Sequence, residues 1–306
     1  MKYKVITLIR KWLELREPLQ EGEKYTIKNP LVIIKKKGTI KLSNGYEVFF
    51  DRENKNDVLG IVYFALSTGI SFGNKIGQWK FDQKNGIIET HQGIRFSIRG
   101  SFGIFNETFL SQIHFSGFDM NDKVVVTAGA YIGDTPLFYS YYGARVYAFE
   151  PDPHSFRTAE KNIALNPDLK KNIFLKNYAI GLDGEVDFPL ESDSVGSSVY
   201  ETKNKETVRT KSVSVSTILK EFNITKPYLL DLDIKGLEFT VVDDESISNF
   251  EKIRIEYSPY FLSEKDKSLD CLIAKLESYG FNKIRIYKHS FLRFDLINHG
   301  TIEAQK

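Results

Sequence analysis

Cysteine is almost missing. Cys271 is the one thiol in 306 residues, which excludes an intrachain disulfide framework and any cysteine-cluster metal site. A single thiol fits a reducing compartment, and a cytoplasmic location is the expectation. Long apolar runs are missing too. The stretch 58–73 is uncharged, but it holds Ser67, Thr68 and three glycines. It is shorter than the ~20 apolar residues of a spanning helix, so no transmembrane segment is expected. The front of the chain has no short basic region leading into an apolar block and a small-residue cleavage site, so no secretory signal is read. An excess of one charge is also lacking. Lysine and arginine total 42 against 40 acids, a net charge of +2, which gives no bulk electrostatic case for nucleic acid. The histidines at 91, 114, 154, 289 and 299 show no metal-ligand spacing, and no metal is expected.

What remains is the profile of an ordinary globular chain, 42% hydrophobic and 27% charged, long enough for two domains. Val5, Leu8, Ile9, Trp12 and Leu13 recur at helical spacing over 5–16, with Lys4 and Lys11 on the other side. Two readings stay open for this helix. It packs on the protein's own core or a second copy in a homodimer, or it lies on a membrane surface. Residues 1–115 are rich in short β patterns. Thr39–Leu42 and Tyr46–Phe49 flank Ser43-Asn44-Gly45, a hairpin signal. Ile87–Thr90 and Ile94–Ile98 form a second candidate pair. Asp57–Leu66 reads as a helix or a buried strand, and 105–115 as a short helix. Lys35-Lys36-Lys37 reads as a solvated hairpin tip.

Residues 116–306 form a second region. From about 120 to 260, β-branched runs alternate with helical patterns, the mark of a parallel sheet with crossover helices. Strands are expected at 124–127, 145–149, 172–176, 228–232 and 252–256. Helices are expected at 135–142, 154–165 and 264–278. Thr202–Lys211 is polar and reads as an exposed loop or hairpin. Lys283–Tyr287 and Leu292–Ile297 read as a closing pair of strands.

One loop carries the strongest signal. Val124–Thr127 leads into Ala128-Gly129-Ala130-Tyr131-Ile132-Gly133-Asp134-Thr135 and so into a helix. Gly129 permits a tight turn and close backbone approach, and Gly133 lets the helix pack near the strand. The next strand ends at Glu150, 21 residues past Gly129. That is the spacing at which a carboxylate accepts bonds from ribose hydroxyls. Dinucleotide folds and methyl-donor folds share this arrangement. The full G-x-G-x-x-G fingerprint is not there, which lowers the dinucleotide reading.

Together these residues resemble the FkbM family of S-adenosylmethionine-dependent methyltransferases. The likeness runs through Ala128–Thr135, Tyr147–Pro153 with its Glu150-Pro151, and Asn177-Tyr178-Ala179. It continues through Gly196-Ser197-Ser198, Leu229–Glu238 and Ile255-Glu256. It implies an α/β fold, a Rossmann-like class I methyltransferase sheet of seven strands with the last reversed, beside a smaller β-rich N-terminal region. It also implies S-adenosyl-L-methionine as donor and a hydroxyl acceptor on a sugar, glycan or related small molecule. Gly129, Ala130, Tyr131, Ile132, Gly133, Asp134, Thr135, Glu150, Pro151, Asn177, Tyr178 and Ala179 would contact the donor. Ser197, Ser198 and Lys235 would face the acceptor.

Asp233 ends one strand and Glu256 the next, at the carboxyl edge where ligands of open α/β sheets bind. Asp233 is the candidate base and Glu256 the second candidate. Three residues depart from the family pattern. Thr127 stands where an acid is usual, Asp231 where a lysine is usual, and Lys235 where a glutamate is usual. The last two read as an exchanged ion pair, an altered acceptor or a lost activity, with Lys235 meeting an anionic acceptor or, as preferred, pairing with Asp231 or Glu238. The departures leave a second reading open, a methyltransferase-like binding or assembly module without turnover.

Overall fold

The computed structural model describes residues 27–41, 47–52, 55, 58–59, 80–82, 85–97, 104, 108–109, 119–190, 206–257, 268–288 and 300–306. The amphipathic stretch 5–16, the Ser197–Ser198 loop, residues 292–297 and most of 105–115 lie outside these. The chain divides into two compact units, Met1–Gly117 and Phe118–Lys306.

In the first unit, β1 (Gly38–Lys41) and β2 (Glu47–Phe50) form the expected antiparallel pair, with Lys41 opposite Glu47. β3 (Lys80–Asp82), β4 (Ile87–Glu89) and β5 (Arg95–Ser97) form a second antiparallel sheet. The β4–β5 turn closes through Thr90 N–H on the Ile94 carbonyl, and Gly93 supplies its left-handed residue at φ +82°. Ile40, Phe50, Ile88, Phe96 and Phe109 are buried. Of the ambiguous stretch 57–66, Val58 and Leu59 are described, and both are helical.

The second unit is a seven-stranded sheet. Its order is β14–β15–β13–β12–β6–β7–β8. The strands are β6 (Val124–Ala128), β7 (Arg145–Phe149), β8 (Ile173–Lys176), β12 (Leu229–Leu232), β13 (Lys252–Tyr257), β14 (Lys283–Lys288) and β15 (Gly300–Gln305). From β8 to β13 all neighbours are parallel. β15 runs antiparallel to both β13 and β14, between which it lies. All four residues of β12 are buried, and so are Val125, Val126, Ile253 and Ile255. Continuous apolar runs are what a sheet covered on both faces demands. Each such aliphatic side chain contributes roughly 1.5–3 kcal/mol by leaving water.

The connections follow from local chemistry. Helix α1 (Asp134–Tyr141) joins β6 to β7. Helix α2 (Pro153–Ala164) starts with Pro153 at its first position. The Asp152 carboxylate accepts from the amides of His154 at 3.0 Å and Ser155 at 3.3 Å, capping its open amides. It ends before Asn166-Pro167, where the short helix α3 (Pro167–Lys170) begins. Helix α6 (Leu269–Ser278) is capped by the Ser268 hydroxyl and followed by Gly280 at φ +87°.

Of the stretch expected as an exposed loop or hairpin, 207–211 belongs to a strand, β11 (Thr207–Val213), one arm of an antiparallel pair. It pairs antiparallel with β10 (Gly184–Pro189) and parallel with the two-residue β9 (Ala179–Ile180). Burial alternates along β11, and its polar outward residues had disguised it. Helix α4 (Val215–Glu221), capped by Ser214, follows it directly. β14 pairs antiparallel with β15, and the strand expected at 292–297 lies outside the described residues.

Candidate active site

β6 is flanked by β7 on one side and β12 on the other, so the chain leaves the middle of the sheet in both directions. At such a switch point the loops beyond the strand ends diverge and leave a crevice. The loop after β6 lines it. Gly129 and Ala130 both donate their amides to the Phe149 carbonyl at 3.0 Å. Gly129 sits at φ +83°, and a Cβ there would lie 2.2 Å from the Asp233 carbonyl oxygen. No other residue type fits. Gly133, at φ +86°, packs on Ala159 of α2, where an added Cβ would meet backbone at 3.3 Å. Asn162 of α2 donates to the Ile132 carbonyl at 2.8 Å. The loop is thus fixed at both ends and in its middle. Beyond it, the first turn of α1 presents amides that have no acceptor within the helix.

Glu150 follows β7 directly and turns its carboxylate onto this loop. One oxygen accepts from the Tyr131 amide at 2.7 Å, the other from the Asp152 amide at 3.0 Å. Burial raises its pKa from 4.5 to about 8, although the two amides pull the other way. When ionised, each oxygen has a further lone pair, so the group can then accept from two hydroxyls. Asn177 holds the base of this arrangement. Its Nδ2 donates to the carbonyls of Glu150 at 2.7 Å and Pro151 at 3.0 Å. The Tyr178 ring stacks on Phe149 and lies beneath the Lys211 ammonium. Ala179 is buried in β9.

Across the crevice, Asp233 follows β12, Glu256 lies near the end of β13, and Lys235 joins them. The Lys235 ammonium is 2.8 Å from Asp233 Oδ1 and 2.5 Å from Glu256 Oε1. Burial alone would lower the ammonium's pKa, but the two carboxylates outweigh it and hold Lys235 above its ordinary value. Asp233 is raised by burial and then by Glu256, with Lys235 opposing. Lys235 and Gly236 adopt positive φ, +45° and +106°. The Glu238 carboxylate accepts the Gly236 amide and fixes this turn at the head of the short helix α5 (Glu238–Val241).

The expected pairing of Lys235 with Asp231 or Glu238 is therefore replaced by pairing with Asp233 and Glu256. Asp231 is occupied elsewhere. It stands in register with Thr127 of β6 and Arg254 of β13. Arg254 forms a buried ion pair with it, the Thr127 hydroxyl donates to it at 3.1 Å, and the Tyr139 hydroxyl at 2.8 Å. The charges at 231 and 235 are not partners. They belong to two neighbouring groups that both span β12 and β13, and Arg254 of the first acts on Asp233 of the second. Arg254, Tyr139 and Asn162 were not read from the sequence. Arg254 had left a signal, a cation inside Ile253-Arg254-Ile255-Glu256, where alternation puts it on the face of Glu256. Tyr139 and Asn162 had left none, because their partners are remote in sequence.

Sheet order, glycine loop and the acid at the end of β7 define a class I methyltransferase, an α/β enzyme with a Rossmann-like sheet and a reversed last strand. The model of the methyltransferase FkbM domain matches residues 128–283, and the chain belongs to that family. It is an S-adenosylmethionine-dependent methyltransferase. Comparison with curated proteins finds no match. Among solved structures, the chain is similar to a human methyltransferase 10 domain containing protein. The two are 13% identical over 66% of this chain and 80% of that one, at a TM-score of 0.40. It is also similar to magnesium protoporphyrin IX methyltransferase from Synechocystis PCC 6803 with bound SAM. There the identity is 12% over 61% and 72%, at a TM-score of 0.37. Glu150 has lone pairs open to hydroxyl donors beside a fixed, glycine-built loop, a lining compatible with the donor.

Proposed function

We propose that the enzyme methylates a hydroxyl of a sugar, glycan or related small molecule, with Asp233 as the base. One observation carries the reading. Two carboxylates, Asp233 and Glu256, stand at adjacent strand ends on a single ammonium, beside the glycine loop. S-adenosylmethionine supplies a methyl group already activated on a sulfonium. The chain's remaining task is to orient the acceptor and take its proton. Residues 129–135 and Glu150 hold the donor, and Asn177 braces Glu150. Asp233, lifted above the ordinary carboxylate range, is a better base than an exposed aspartate. Lys235 keeps it ionised and aimed. Glu256 binds the other side of the ammonium and offers a second acceptor for hydroxyls.

The test uses methyl-labelled S-adenosylmethionine and a panel of neutral and acidic glycans. The expected product carries an alkali-stable ether methyl. Asp233→Asn lowers kcat by about 10²–10⁴, the range for losing a general base, with S-adenosylhomocysteine affinity nearly unchanged. Label appearing on nitrogen or as a carboxyl ester overturns the reading.

A further inference from the structure

The first unit carries a feature that methyl transfer does not use. Pro30–Ile34 is a single 3₁₀ turn in front of β1. Residues three apart eclipse one another in such a turn, so Leu31 and Ile34 share one side. Both project into solvent, 76% and 79% exposed. The turn is pinned rather than loose. Val32 points the other way and is buried against Gly38, where an added Cβ would meet it at 2.5 Å. Asn29 donates to the Thr39 carbonyl at 2.9 Å and accepts from the Lys41 amide at 2.8 Å. Lys55 donates to the Lys35 carbonyl at 2.8 Å. The fold therefore fixes two aliphatic side chains outward.

Charge surrounds them. Residues 27–41 contain Lys28, Lys35, Lys36, Lys37 and Lys41 and no acid, in a chain whose net charge is only +2. All five lysines are exposed, with Lys41 paired to Glu47 at 2.8 Å. An apolar turn followed directly by three exposed lysines matches the boundary of an anionic bilayer. Acyl chains take the aliphatic groups there, and headgroup phosphates take the ammonium groups. A protein partner would need a complementary acidic rim around an apolar socket. A nucleic acid would take the lysines but leave Leu31 and Ile34 in water. We infer that this turn is a membrane-surface contact, and that the enzyme docks on anionic lipid through Leu31, Ile34 and the lysines at 35–37.

The test is sedimentation of the full chain with phosphatidylcholine vesicles, with and without 30% phosphatidylglycerol. The expected result is pelleting with the anionic vesicles alone, reversed by high salt because the charge contribution is screened. Leu31→Ser/Ile34→Ser weakens binding by about tenfold or more. Lys35→Glu/Lys36→Glu/Lys37→Glu weakens it more than about a hundredfold. S-adenosylhomocysteine affinity stays unchanged in both. A fluorophore on Leu31→Cys, in a Cys271→Ser background, reads the contact without disturbing the charges. Its emission shifts to the blue on anionic vesicles. No pelleting, pelleting equal in the variants, or an unshifted label overturns the inference. So does binding to homopolymeric RNA without binding to vesicles.

Discussion

Glu150 links folding to pH. Its carboxylic acid is held to about 8 by burial, against 4.5 when free. Between those values the folded state binds a proton that the unfolded chain releases. Its contribution to stability is present in full below pH 4.5 and is lost as pH rises through about 8. Thermal midpoints of the wild type are expected to fall across that window, and those of Glu150→Gln to fall less. On the proposed reading, Glu150→Ala removes the acceptor for the donor's ribose hydroxyls. Calorimetric titration with S-adenosylhomocysteine should show affinity reduced by about thirtyfold, two hydrogen bonds being worth about 2 kcal/mol together. Lys235 is the second residue with a sharp expectation. Lys235→Met leaves Asp233 and Glu256 facing each other without a cation. Denaturant unfolding should show about 2–4 kcal/mol of lost stability, the scale for one missing member of a largely buried pair. The pH optimum of methyl transfer should move upward, because Asp233 then ionises later.

At the scale of elements, the loop after β6 and the turn after β12 interlock, since Gly129 and the Asp233 carbonyl occupy one space. Gly129→Ala should abolish donor binding while circular dichroism stays near wild type, because the clash is confined to two loops at the sheet edge. The Thr127, Asp231 and Arg254 row ties β6, β12 and β13 together beneath them. Thr127→Asp puts a second buried carboxylate against Asp231, and one arginine cannot satisfy both. A loss of about 3 kcal/mol or more is expected, measurable in guanidinium. Elements differed sharply in how plainly the sequence announced them. β6, β7 and β12 are largely apolar runs and β13 alternates isoleucine with charge, and the ends of all four were readable within one residue. β11 reads Thr-Val-Arg-Thr-Lys-Ser-Val, and half of it faces water. β15 reads Gly-Thr-Ile-Glu-Ala-Gln. Its Thr301 and Glu303 are buried only because two strands enclose them. Composition cannot reveal that enclosure.

The candidate site divides in the same way. Gly129, Glu150, Asp233 and Glu256 were legible because each sits where a predicted strand ends, and Gly133 because it opens the helix that follows. The pairing of Lys235 was not, because a left-handed residue turned its side chain toward two acids that spacing alone could not rank. For the whole molecule, the reversed strand matters most. β15 fills the slot between β13 and β14, so a chain ending at residue 299 should lose cooperative unfolding and S-adenosylhomocysteine binding together, rather than fray at one edge. The same feature governs how the protein is made. β13 is complete at Tyr257, but its outer neighbour ends 48 residues later at Gln305. At about 5–20 residues per second, a ribosome needs roughly 2–10 s to cover that distance. Throughout it, the hydrogen-bonding edge of β13 has no native partner, and an open strand edge recruits whatever strand is nearest. Newly made chains therefore pass through an interval of exposure to aggregation set by translation speed, and slow codons after position 257 would lengthen it.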